Sequence, residues 1–261
     1  MKSLKAFIMD KPSPFVCAIF LFVWEIGVHM LKVPTFILPP PSKVLSALWL
    51  LRRTLFVTHL PVTLLEIISG LAISIVISIM LSMLMLYQPF WEKSLYPFLV
   101  ASQTIPIIVL SPILIMWFGY GLGGKIAVTV LITFFPIVVN TFDGLKNVDI
   151  QYINLLRTMG ANDWQIFCKV RVPAALPSFF TGVRVGAAVS VIGAVIGEWL
   201  GGNAGLGSFS RRMTSNLQAD AVLAAVLILA GLGIGLFWLV KVLERYFIPW
   251  YYNQNHKERL K

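Results

Sequence analysis

"AVLAAVLILAGLGIGLFWLV", Ala221 to Val240, runs for 20 residues without a charge between Asp220 and Lys241. As a helix it measures about 30 Å, the thickness of a bilayer's hydrocarbon core. A segment apolar on every face belongs in lipid or at the centre of a large protein. Composition decides for lipid. The 261-residue chain is 58% hydrophobic and 12% charged, with mean hydropathy +0.84, against about 25% charged in soluble domains.

Working back from that span, five more apolar stretches appear: Phe15–Leu31, Val62–Tyr87, Leu95–Phe118, Ile126–Phe142 and Pro177–Leu200. Phe15–Leu31 lacks the small-residue cleavage site of a signal peptide, and further spans follow it. The expectation is an all-α, polytopic bundle of about six transmembrane helices, one domain over residues 1–261. Arg184 lies inside the fifth stretch, with 13 residues between it and Glu198. It is expected to snorkel to the nearer interface.

The net charge is +10. In a membrane chain it reads as loop charge facing anionic lipid rather than as a nucleic-acid surface. Six spans put both termini on one side. Calling that side cytoplasmic collects 14 of the 21 basic residues there and leaves Lys32, Lys43, Arg52, Arg53, Lys125, Arg211 and Arg212 outside. The bias favours termini inside. Residues 42–58, after the "LPPPS" turn, read as an interfacial amphipathic helix. Cys17 and Cys168 suggest neither disulfide nor metal, and His29, His59 and His256 form no ligand pattern.

One segment does not suit lipid: "INLLRTMGANDWQIFCKVRVPAALP", Ile153 to Pro177, within a polar loop over residues 143–176. Asp149 is placed to N-cap a helix whose apolar stripe is Tyr152, Leu155, Leu156 and Met159. Gly160 suits the left-handed C′ position. Asn162 or Asp163 caps a second short helix with Trp164, Phe167 and Val170 on one face; Pro173 ends it and Pro177 starts the next span. From pattern alone, two readings stay open: the pair packs beneath its own bundle, or it docks on another protein.

These residues resemble a known family. Inner-membrane permeases of ABC importers carry a cytoplasmic signature of Glu-Ala-Ala, three residues, glycine, nine residues, then Ile-x-Leu-Pro. Gly160 stands at the glycine, and Val170-Arg171-Val172-Pro173 at the closing positions, with the same spacing. Asn154, Leu155 and Leu156 depart from Glu-Ala-Ala, which removes any contact made by the acid. "ILPPPSKV", "ILIMWFGYG", "FFPIVVNTFDGLKNVD", "RTMGANDWQIFCKVRVPAALPSFFTGVRVG" and "GEW" extend the resemblance, to the nitrate/sulfonate/taurine-type branch, along most of the chain.

The resemblance implies a type I ABC importer permease fold. The loop would be the coupling helix on a separate ABC ATPase subunit, through Asn154, Leu155, Leu156, Arg157, Met159, Gly160, Ala161, Trp164, Phe167 and Pro173, with Trp164 and Phe167 as anchors if they face outward. It also implies an extracytoplasmic substrate-binding protein, a second permease copy (a homodimer), and a cell inner membrane location. ATP and Mg would bind on the ATPase partner, this chain binding no cofactor itself. Substrates of such permeases include nitrate, sulfonates, taurine and vitamin precursors.

Other signals point less far. "GYGLGG" matches a dinucleotide fingerprint but joins two spans without a βαβ unit, so it reads as an outer turn. No Walker A lysine loop is present. Glu25, Glu66 and Glu198 lie in or at spans, where acids are costly; Glu198 stands where the resembling family has an acid, suggesting a gate or receptor contact. Pro97, Pro106 and Pro112 interrupt the third stretch, and Ser102, Gln103, Thr104, Pro106 and Ser111 read as a pathway wall. Small residues from Gly182 to Ala194 allow either intrachain packing or a homodimer seam. A secondary transporter working with an ion gradient is the competing class. It would need midplane acids and an internal repeat, and no repeat is found. No intramembrane enzyme motif occurs.

Overall fold

The computed structural model describes residues 12–251, and within them the chain is helical with no strand. Ten helices follow in order: α1 Pro12–Met30, α2 Pro41–Leu50, α3 Thr54–Tyr87, α4 Pro89–Ser102, α5 Ile107–Phe118, α6 Leu122–Lys146, α7 Ile150–Thr158, α8 Asp163–Gly201, α9 Leu206–Ser215 and α10 Ala219–Phe247. Four of them, α3, α6, α8 and α10, are long and apolar enough to cross a membrane singly. The helices α3, α6 and α8 pack most extensively on one another, and α10 closes against α8.

The expected third span, Leu95–Phe118, is not one helix. It breaks into α4 and α5, bent by 107°. Pro106 supplies no N–H and forces Ile105 out of the helical region. Ser102 Oγ and Thr104 Oγ1 return to the carbonyls of Leu99 and Ala101, at 2.7 and 2.8 Å, just before the break. The first expected span, Phe15–Leu31, falls on α1, a 19-residue helix that carries Glu25 and His29. α1 packs at the periphery, where Glu25 accepts from Ser42 N and Oγ at the start of α2.

Two prolines that should end helices do not. Before Pro61 and before Pro173 the backbone widens into a π-turn, Thr54–His59 in α3 and Phe167–Arg171 in α8. Leu60 N–H reaches Leu55 O and Val172 N–H reaches Phe167 O, each five residues back. The wider register accommodates the donor that the next residue lacks. Consequently α3 starts at Thr54 rather than Val62. Pro173 and Pro177 both lie inside α8, and the polar segment expected over residues 143–176 shrinks to residues 147–162. Residues 42–58 divide between α2 and the first turns of α3.

Close helix approach is built from small residues. A Cβ on Gly193 would stand 2.8 Å from Thr129 Cα, and one on Gly197 would stand 2.9 Å from Lys125 Cα. The small-residue face of α8 is therefore an intrachain seam with α6, while Ala188 points away from it. Ser74, Ser78 and Ser82, one turn apart on α3, donate to Val130, Phe134 and Val138 carbonyls of α6. Arg184 is paired within the chain. Its Nη1 lies 3.3 Å from Glu244 Oε2 on α10, an acid the apolar pattern of that span concealed.

Candidate functional sites at the two ends of the bundle

At one end, α7 is fixed by its own caps. Asp149 accepts from Gln151 N at 2.9 Å. At the other terminus Gly160 adopts φ +80°, and the N–H groups of Gly160 and Ala161 return to Arg157 O and Leu156 O. That paired closure is the Schellman arrangement, open to glycine because its left-handed backbone carries no Cβ penalty. Asn162 and Gln165 then cap α8 reciprocally, side chain to backbone in both directions, at 2.8 and 3.0 Å. Arg157 and Asp163 bridge the turn at 3.2 Å. The elbow between α7 and α8 is thus set by short-range bonds.

This elbow presents an apolar face outward. Tyr152, Leu155, Met159 and Trp164 are all exposed, Met159 at 74% and Trp164 at 66%. Asn154 and Arg157 are exposed beside them, and Leu156 and Ala161 are half-buried. The inner face holds Ile153, Ile166 and Phe167. Phe167 shares a face with Trp164, as the spacing suggested, but is buried where Trp164 is exposed. It packs between Tyr87 and Trp164, ring centroids 5.7 and 5.6 Å away, and against Leu145 and Ala175. Pro173 is half-buried in α8, behind the elbow. Arg171 Nη1 donates to Leu145 O at 3.0 Å, tying α8 to α6, and Lys146 pairs with Glu92, tying α6 to α4.

At the opposite end, buried polar groups converge. Lys125, expected in an outer loop, is buried. It donates to Glu66 Oε1 at 2.8 Å and to Ala204 O at 3.2 Å. Glu198 is wholly buried and accepts from Thr63 Oγ1 at 2.6 Å, Gly207 N at 2.5 Å and Ser208 N at 3.2 Å. Leu206 N donates to Thr63 Oγ1 and Gly205 N to His59 Nδ1, at 2.8 and 3.1 Å. Every free N–H at the start of α9 is thereby matched, with a carboxylate at the positive end of the helix. Glu198 is buried beneath α9 rather than facing a receptor. The exposed Arg211 and Arg212 hold Trp199 O and Asn203 O.

The residues expected to wall a path differ in exposure. Gln103, Thr104 and Pro106 are exposed at the α4–α5 break, Ser102 is half-buried, and Ser111 is fully buried with its hydroxyl on Ile108 O. Glu198 lies far along the chain from them, with α9. Sequence reading missed Lys125, Glu244 and α9. A lysine three residues into an apolar run, and a lone acid in "KVLERYF", were the available signals for the two charges.

The description "Binding-protein-dependent transport system inner membrane component" matches residues 74–248, which include α7, the elbow and Glu198. The chain belongs to that family. This permease is similar to the formylaminopyrimidine transport permease protein ThiX of Halalkalibacterium halodurans, 50% identical over 88% of this chain and 92% of that one. It is also similar to the riboflavin transport system permease protein RibX of Chloroflexus aurantiacus, 34% identical over 91% and 89%. A solved chain of the MetNI methionine ABC transporter, in inward facing conformations, shares the fold: TM-score 0.54, 20% identity, 74% of this chain and 96% of that one. The permease is a multi-pass ABC importer component of type I fold, and it and its relatives are transport subunits.

Proposed function

We propose that the chain forms half of the translocation path of an ABC importer in a bacterial cytoplasmic membrane, with α7 and both termini on the cytoplasmic side. Two copies pair across the path. Each α7 seats on a separate ATPase subunit that binds ATP and Mg, and an extracytoplasmic binding protein delivers solute at the α9 end. The chain itself is non-catalytic. It turns the partner's differential affinity for nucleotide states into alternating access.

One observation carries this reading. The face formed by Tyr152, Leu155, Met159 and Trp164 is apolar, exposed and held on an elbow that continues directly into α8. An aromatic and aliphatic cluster of this kind supplies the buried centre of an interface. Because α8 runs unbroken for 39 residues, a push at the elbow is transmitted along a rigid rod to Glu198 and α9.

The solute we propose is a small vitamin precursor of the formylaminopyrimidine class. Half identity to a permease named for that transport, across nearly the whole chain, supports it. The test is reconstitution. The permease is co-expressed with an ABC ATPase and a binding protein from the same genome, placed in liposomes, and assayed for ATP hydrolysis. Co-purification and stimulation by the binding protein loaded with formylaminopyrimidine, and not with taurine, is the expected result. A permease that purifies alone and transports on an ion gradient overturns the coupling; stimulation by taurine alone overturns the solute.

A further inference from the structure

Between α6, α8 and the last turns of α10 lies a recess of about 270 Å³, lined mainly by Asn140, Ser178, Thr181, Arg184, Glu244 and Tyr251. It differs from the apolar hollows elsewhere on the bundle in being polar and in holding a buried acid. Glu244 is almost fully buried, its side chain 3% exposed. Its Oε2 stands 3.3 Å from Arg184 Nη1, yet the alignment yields no hydrogen bond, and that oxygen has no hydrogen-bond partner among the described residues. Arg184 Nη2 is spent on Thr181 Oγ1 at 3.1 Å, and Thr181 donates to Pro177 O. A carboxylate oxygen buried without a donor is costly, and folded chains rarely leave one so. A bound donor removes the cost.

We propose that this recess is a solute site for small, net-neutral polar molecules that present a hydrogen-bond donor to Glu244 and acceptors to Ser178, Asn140 or Arg184. The proposal rests on the permease reading and narrows its substrate class. The charge arithmetic excludes simple anions: Glu244 offsets Arg184, so a sulfonate entering the recess meets no net positive potential and a carboxylate that repels it. The volume lies just below the range of about 300–1,000 Å³ common for small-molecule sites, which suits a single substituted ring. Glu244 stands three residues from the end of α10 that is remote from α9, which sets the recess toward the elbow side, where an importer releases its cargo.

The experiment uses the full permease–ATPase complex in lipid nanodiscs with the binding protein omitted, so that selection by that protein plays no part. Equilibrium binding of formylaminopyrimidine and of ethanesulfonate is measured. The wild type is expected to bind the pyrimidine at least tenfold more tightly. Glu244→Gln, which leaves the recess net positive, is expected to reverse the preference. Thr181→Val, isosteric and uncharged, is expected to weaken pyrimidine binding about fivefold or more, and it decides the matter should the first variant not assemble. A wild type that binds neither probe, or prefers the sulfonate, or affinities unmoved in the assembled variants, overturn the site. Failure of the permease reading looks different: no ATPase co-purifies with the wild type.

Discussion

Lys125 Nζ lies 2.8 Å from Glu66 Oε1, with both side chains buried, joining the start of α6 to α3. The same ammonium reaches Ala204 O, so one cation ties two spans to the loop before α9. Removing one member of a buried pair leaves an uncompensated charge, typically worth about 3–5 kcal/mol, whereas replacing both with apolar groups is often close to neutral. Lys125→Met is therefore expected to lower the midpoint of thermal unfolding in detergent substantially. Glu66→Leu with Lys125→Met should recover most of it. Equal losses in the single and double variants would contradict the pairing.

Gly205 adopts φ +116°, and a Cβ there would stand 2.1 Å from Glu198 Cδ. Both the backbone region and the space demand glycine. Gly205→Ala is expected to expel Glu198 from its place beneath α9 and to speed amide hydrogen exchange over residues 203–215. Gly27→Ala on α1, with nothing within 4 Å of the added carbon, serves as the neutral comparison.

Glu198 accepts three hydrogen bonds, two of them from the first turn of α9. Hydrogen bonds to charged groups contribute about 1.5–3 kcal/mol each. Glu198→Ala should destabilise more than Glu198→Gln, which keeps one acceptor oxygen, and both should reduce transport in the reconstituted importer. Calorimetry or thermal-shift ranking of the two variants checks the order; an equal effect would mean that the carboxylate does not hold α9.

Much of this architecture is legible in the chain, because lipid imposes a coarse rule. The 20 uncharged residues from Ala221 to Val240 announce a span, and Asp149 and Gly160 announce the bounds of α7 through capping chemistry that acts over a few residues. What stays hidden depends on distant partners. Lys125 reads as a loop charge until Glu66, 59 residues away, is beside it. Arg184 reads as a charge without a partner until Glu244 arrives from α10. Pro173 reads as a helix end because its consequence depends on a π-turn that no local pattern marks. Phe167 reads as an exposed anchor until Tyr87, from α3, covers it. The 107° break at residues 103–106 had a local signal in Pro106, but kinked and broken helices share it.

Met159 and Trp164 are exposed and touch little of the bundle, apart from the Trp164–Phe167 stack. Met159→Asp and Trp164→Ala should each leave the melting temperature of the isolated permease within a degree or two. Truncating a central interface anchor costs about 2 kcal/mol or more. Each is therefore expected to weaken ATPase association roughly thirtyfold or more, read by titrating the ATPase onto nanodisc-held permease.

The central claim, that α7 seats on an ATP-hydrolysing partner, is tested most directly by site-specific crosslinking in the assembled importer. With Cys17 and Cys168 replaced by serine, Leu155→Cys on the exposed face and Ile153→Cys on the buried face are compared after oxidation with an ATPase carrying single cysteines along its surface groove. The account predicts a disulfide from residue 155 to the ATPase and none from residue 153. Crosslinks from residue 155 that reach only lipid or the same polypeptide, in a transport-competent assembly, would contradict it.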